Sequence, residues 1–123
     1  VDPASVTVDQ VIAAISSFRF TYDNEIELQN AIASALSSRD IPFEREHRLG
    51  DNLKIDFMIP AGIGVEVKIK GSPSEVARQL LSYANRSELS CIVLVTGRSA
   101  LGRLPDTLLG KKLYVVPLWR SFL

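Results

Sequence analysis

Lys54-Ile55-Asp56-Phe57-Met58-Ile59-Pro60-Ala61-Gly62-Ile63-Gly64-Val65-Glu66-Val67-Lys68-Ile69-Lys70 reads as two strands joined by a Pro-Ala-Gly turn, because period-two alternation on either side of a Pro/Gly break is the signature of paired strands. In the second strand Val65, Val67 and Ile69 fall on one face and Glu66, Lys68 and Lys70 on the other, since successive side chains alternate. In the first, Ile55, Phe57 and Ile59 form the apolar set and Asp56 takes the opposite parity. A carboxylate therefore faces a carboxylate and a lysine across the hairpin. The stretch is too apolar for an exposed edge ribbon and belongs in the middle of a sheet, where charges need partners or a metal. Two acids beside one ammonium suit a hard divalent cation that takes oxygen ligands. The plainer alternative is a structural hairpin in which Glu66 and Lys68 pair with each other.

Working outward, Pro73 and Ser74 open a helix after the Gly71-Ser72 break, with Ser74 as cap and Val76, Ala77, Leu80, Leu81 and Ala84 as its buried face. Gln79 and Tyr83, four apart, share one side of it. Ser90 to Thr96 is apolar enough for a strand buried on both faces, so strand, helix and strand make a parallel crossover beside the Glu66 strand. A short helix over 101–109 and a last strand over 112–118 follow. Upstream, Phe43 to Leu49 alternates as a strand turned by Gly50-Asp51-Asn52 into the Asp56 strand. Before it lies a helix beginning near Thr21 to Asn24 and running to Ser38, with Leu28, Ile32 and Leu36 as its stripe; Arg39-Asp40-Ile41-Pro42 ends it. Glu25 sits closer to that stripe than Glu27 on a 3.6-residue wheel, so Glu25 is the better candidate to reach inward. An extra N-terminal helix over 8–18 carries Val8, Val11, Ile12, Ile15 and Phe18 at helical spacing. It reads as packing material.

Asp56, nine intervening residues and then Glu66-Val67-Lys68 resemble the core of the PD-(D/E)xK nuclease superfamily, the restriction-endonuclease-like fold, with Ile55 where the family's usual proline stands. Glu25-Ile26-Glu27-Leu28-Gln29 is similar to the first core helix of that family, whose glutamate three residues ahead of a buried leucine completes the metal site; Glu27 is the reserve. Gln79 and Tyr83 after Glu-x-Lys resemble a motif of the exonuclease-type branch. The resemblance spans 21–118. It implies an α/β restriction-endonuclease-like core with a central mixed sheet of four to five strands flanked by helices. It further implies hydrolysis of nucleic-acid phosphodiesters, DNA before RNA, as an endo- or exonuclease. Asp56, Glu66, Glu25 and the Val67 carbonyl would hold Mg²⁺ or Mn²⁺, Lys68 would be catalytic, Lys70 would meet substrate, and Gln79 and Tyr83 would meet substrate or steady the lysine. The alternative is a nuclease-fold module that binds or assembles a larger DNA-processing complex without cutting.

The remaining composition sets bounds. A chain of 123 residues is one domain, able to bury a core without staples, and 46% hydrophobic content marks it as globular. Fourteen basic residues balance fourteen acidic ones, so bulk electrostatics alone would not hold nucleic acid; Lys70, Arg78, Arg86 and Arg98 are the local cations available for phosphates. The single cysteine, Cys91, excludes an internal disulfide and suits a reducing cytoplasm. No apolar run is long enough to span a bilayer, and the start lacks the pattern of a signal peptide. His47 is the one histidine, and without further nitrogen or sulfur ligands it makes no zinc site. Glu46 resembles an acid seen on this strand in small nucleases. If the chain forms a homodimer, the N-terminal helix or the tail Pro117 to Leu123 would supply the interface; Trp119 and Phe122 in that tail read equally well as core.

Overall fold

The computed structural model describes residues 5–118. Three helices, α1 (Val8–Ser16), α2 (Glu25–Ser38) and α3 (Pro73–Ala84), flank one mixed sheet of six strands. The strands are β1 (Glu44–Gly50), β2 (Leu53–Ile59), β3 (Ile63–Lys68), β4 (Cys91–Thr96), β5 (Thr107–Leu108) and β6 (Lys111–Pro117), in the order β1-β2-β3-β4-β6-β5. The β1/β2, β2/β3 and β5/β6 pairs are antiparallel; β3/β4 and β4/β6 are parallel. The α/β class with a mixed, helix-flanked sheet is as expected, but the strand number is six rather than four to five. The sixth comes from a segment expected to be helical: over 101–109 the chain makes a 3-10 turn at Ser99–Arg103 and then the two-residue β5. Leu104-Pro105 stops the turn, since the residue before a proline is pushed out of helical conformation, and Gly110 at φ 80 lets β5 fold back on β6.

Each helix begins where its sequence satisfies the free first-turn amides. Thr7 closes a capping box with Gln10, and Asn24 accepts from the Glu27 amide. For α3 the cap is Ser72 rather than Ser74: it closes a box with Glu75 and leaves Pro73 in the first turn, where a missing N–H costs nothing.

Two cores sandwich the sheet. Ile63, Val65 and Val67 of β3 and Cys91, Val93 and Val95 of β4 pack with Val11, Ala14 and Ile15 of α1 and Leu28, Ile32 and Leu36 of α2. Ile92 and Leu94 pack on the other face with Val76, Leu80 and Tyr83 of α3, so β4 is buried on both faces as read. One alternation fails. Phe57 and Ile59 lie in the first core, whereas Ile55 lies in the second. The strand changes faces at Asp56, across from Glu46, whose backbone is left-handed at φ 50; Arg45 and His47 pair with Phe57 and Ile55 on either side of that point. β3 also ends at Lys68, leaving Lys70 exposed beyond the sheet. Trp119 and Phe122 lie outside the described residues.

Candidate active site

The main-chain pairing of β2 with β3 runs from Ile59↔Ile63 to Phe57↔Val65 and stops there. The same register would next pair Asp56 with Glu66, and at this point side chains replace the backbone ladder. The Asp56 amide donates to Glu66 Oε1 at 3.1 Å, and the Val67 amide donates to Asp56 Oδ2 at 2.8 Å. Past the end of β3 the substitution continues, with the Ile69 amide donating to Glu25 Oε1 at 3.1 Å. Three carboxylates thus stand where strand partners would be, each holding a buried or half-buried amide. That arrangement fixes their positions without long flexible tethers.

Burial then sets their charge. Glu66 is 2% exposed. Its desolvation and the neighbouring Asp56 charge push its carboxyl up to about 8. Asp56 is raised as well, mainly by burial, with the charge of Glu25 adding to it. Lys68 Nζ lies 3.7 Å from Glu66 Oε2, and its side chain is 22% exposed. It compensates the acids only in part.

On the other side of Glu66 stands Tyr83, fully buried. Its hydroxyl is 2.9 Å from both Glu66 Oε2 and the Lys54 carbonyl, and Gln79 Nε2 donates to it at 2.9 Å. One phenolic proton cannot serve two acceptors, and a protonated Glu66 resolves the contest by donating to Tyr83 while Tyr83 donates to Lys54. Burial and the Glu66 charge raise the Tyr83 phenol, so it stays a neutral hydrogen-bond donor. Expected to meet substrate, Tyr83 is instead sealed in the core, and with Gln79 it braces Glu66 from behind.

The other sequence candidates separate clearly. Glu27 turns back to accept from the Asp23 amide at 2.8 Å and leaves the inward position to Glu25. Glu46 is exposed, with its carboxylate 3.9 Å from Lys54 Nζ. His47 bridges Glu44 and Glu88 at 2.9 and 3.0 Å, and these carboxylates, the Glu88 hydrogen bond first, raise its pKa. Arg78 and Arg86 are exposed, and the Arg86 guanidinium lies against Gly50. Arg98 follows β4, two residues after Thr96, the register partner of Lys68. A surface cavity of about 410 Å³ lies elsewhere, between Phe43, His47, Met58, Ile59 and Glu88, and none of the clustered acids lines it. Sequence reasoning missed the Tyr83–Glu66 contact, whose only signal was the position of the Gln79/Tyr83 pair directly after the Glu66 strand.

Among the described residues no three His, Cys, Asp or Glu side chains form a ready-made metal cluster. In kind, though, the donors fit a hard divalent ion: they are oxygens only, and the negative charges of Glu25 on Asp56 and of Asp56 on Glu66 favour a positive charge between them. Also among these residues, no helix is long and apolar enough to cross a membrane. No protein-family model matches the chain, nor does any curated protein or solved structure.

Proposed function

We propose that the protein is a metal-dependent nuclease that hydrolyses nucleic-acid phosphodiesters, with DNA the first substrate to test. The observation that carries this reading is the end of the β2/β3 ladder, where the Glu66 carboxylate takes the Asp56 amide and the Asp56 carboxylate takes the Val67 amide, beside the half-buried ammonium of Lys68. A structural hairpin gains nothing from that arrangement: burying like charges costs stability, and a continued ladder flanked by apolar side chains would be cheaper. Such a cost is retained where it serves chemistry.

Asp56, Glu66 and Glu25, with the Val67 carbonyl, would hold Mg²⁺ or Mn²⁺, which supplies Lewis acidity at the phosphate and a lowered pKa for water. The chain does the rest. Lys68, tethered to Glu66 and open on its other side, orients the attacking water and meets the negative charge that builds on the phosphoryl oxygens. Tyr83 and Gln79 keep Glu66 aimed at the site. Lys70, exposed just beyond β3, is placed to contact a neighbouring phosphate.

Cleavage of labelled duplex, single strand, four-way junction and RNA, in Mg²⁺, Mn²⁺ or EDTA, tests the reading. Metal-dependent products that vanish in Lys68→Ala support it. The balanced net charge favours one rival, a nuclease-fold module that binds without cutting. If the folded wild type yields no product from any substrate, that rival takes its place.

A further inference from the structure

Near the carboxyl end of β4 the fold leaves two polar groups unused. Tyr22 lies three residues ahead of Glu25 and packs its ring on the first core. Its hydroxyl rests on the backbone at Gly97, where an added Cβ would come within 2.5 Å of it. The absence of a side chain at position 97 is what admits the phenol to this position. Gly97 follows Thr96, which pairs with Lys68 across β3 and β4, so the hydroxyl lies at the carboxyl end of β4, the end of the sheet where Lys68 closes β3. Arg98 comes next. Its amide is tied to Thr96 Oγ1 at 3.0 Å, which fixes the backbone from which the guanidinium projects. Neither the Tyr22 hydroxyl nor the Arg98 guanidinium has a hydrogen bond or ion pair among the described residues, and both residues are only half-buried.

A neutral donor and a cation, both unpartnered among the described residues, are what a phosphodiester oxygen needs for recognition. The carboxyl ends of parallel strands are also where α/β sheets receive ligands. We propose that Tyr22 and Arg98 bind a phosphate of the nucleic-acid strand next to the one that is cut, and so fix which bond lies over Asp56 and Glu66. This rests on the nuclease reading and extends it: the enzyme grips its substrate at a second phosphate, on the β4 side of the site.

The test uses Tyr22→Phe, which keeps the ring and its packing, Arg98→Gln, and Arg103→Gln as a charge control on the exposed 3-10 turn. Steady-state cleavage of the labelled oligonucleotide that the wild type cuts is measured in Mn²⁺ over a range of salt. Loss of a contact made equally in ground and transition states raises KM and spares kcat, so Tyr22→Phe and Arg98→Gln should each raise KM roughly tenfold. The two differ in salt dependence. Arg98→Gln should lower the slope of log KM against log salt by about 0.7 to 0.9, while Tyr22→Phe leaves it unchanged and Arg103→Gln changes neither quantity. An active wild type with both variants unaltered in KM would overturn the phosphate contact and leave the nuclease reading intact. A folded wild type that cuts no substrate would remove both.

Discussion

Replacing Glu66 by glutamine should make the protein more stable in mild alkali while abolishing the proposed nuclease activity. Glutamine keeps an oxygen for the Asp56 amide and presents an NH₂ group to the Tyr83 hydroxyl, so the buried contacts survive without the charge. In the wild type the unfolded chain releases the Glu66 proton near its ordinary 4.5, whereas the folded chain keeps it up to about 8. Across that window the folded state binds more protons, so stability falls as pH rises. At about 1.4 kcal/mol per pH unit the full gap is worth roughly 5 kcal/mol. Side-chain relaxation and water entry return much of it, leaving about 2 kcal/mol. For a domain of this size that is roughly 6 to 10 °C in Tm. The assay is thermal unfolding of wild type and Glu66→Gln from pH 5 to pH 9 in EDTA. The curves should converge near pH 5 and separate above it, with the variant higher. His47 is raised too, and its stabilisation is likewise lost as pH rises through its folded pKa, but it is present in both proteins and cancels in the difference. Millimolar Mn²⁺ should then raise the Tm of the wild type, by binding only the folded state, and leave Glu66→Gln unmoved. Parallel curves at every pH, or a variant that is less stable throughout, would refute the account of Glu66 as an uncompensated buried acid.

Lys68→Ala should keep the wild-type fold by circular dichroism and lower kcat about a hundredfold or more, since it removes charge stabilisation at the phosphate. Tyr83→Phe leaves the Lys54 carbonyl and Glu66 Oε2 without their hydroxyl partner and should cost about 1 to 3 kcal/mol in urea unfolding, with slower cleavage because Glu66 loses its brace. Gly64→Ala would bring a methyl within 2.5 Å of Ile55 Cδ1 and 2.7 Å of Leu89 Cδ2, and should lower stability by about 1 to 3 kcal/mol through overpacking; an unchanged midpoint would show that the second core yields there. His47→Gln should cost under about 1 kcal/mol, because its carboxylate partners are largely exposed, and that loss should fade as pH rises past the folded pKa of His47.

What the chain announced, it announced locally. The Asp56 and Glu66 strands, a capped helix start within Thr21 to Asn24 and the preference for Glu25 over Glu27 all follow from spacing within a dozen or so residues, where period and capping chemistry are strong guides. Three features did not. β5 is two residues long and exists because β6 offers it an edge, so no periodicity could mark it. Ile55 faces the second core because the strand rotates at Asp56, a distortion set by the side-chain-to-backbone bonds of Asp56 and Glu66 and by the left-handed backbone at Glu46. Tyr83 reaches Glu66 across 17 positions of sequence, and its helical spacing reads equally well as an exposed pair or a buried one. The candidate site was therefore legible as a set of residue types, and its internal wiring was not.

The amides of Asp56, Val67 and Ile69 each donate to a different one of the three clustered carboxylates. That gives the centre its own spectroscopic reporters. A proton arriving on one acid, or a cation drawing it away, changes the electron density at the oxygen that one amide sees, and the ¹⁵N and ¹H resonances of that amide move with it. Asp56 and Glu66 can thus be followed separately through a titration, with no label on any side chain and no substrate present, although their coupled ionisations would otherwise merge into a single curve.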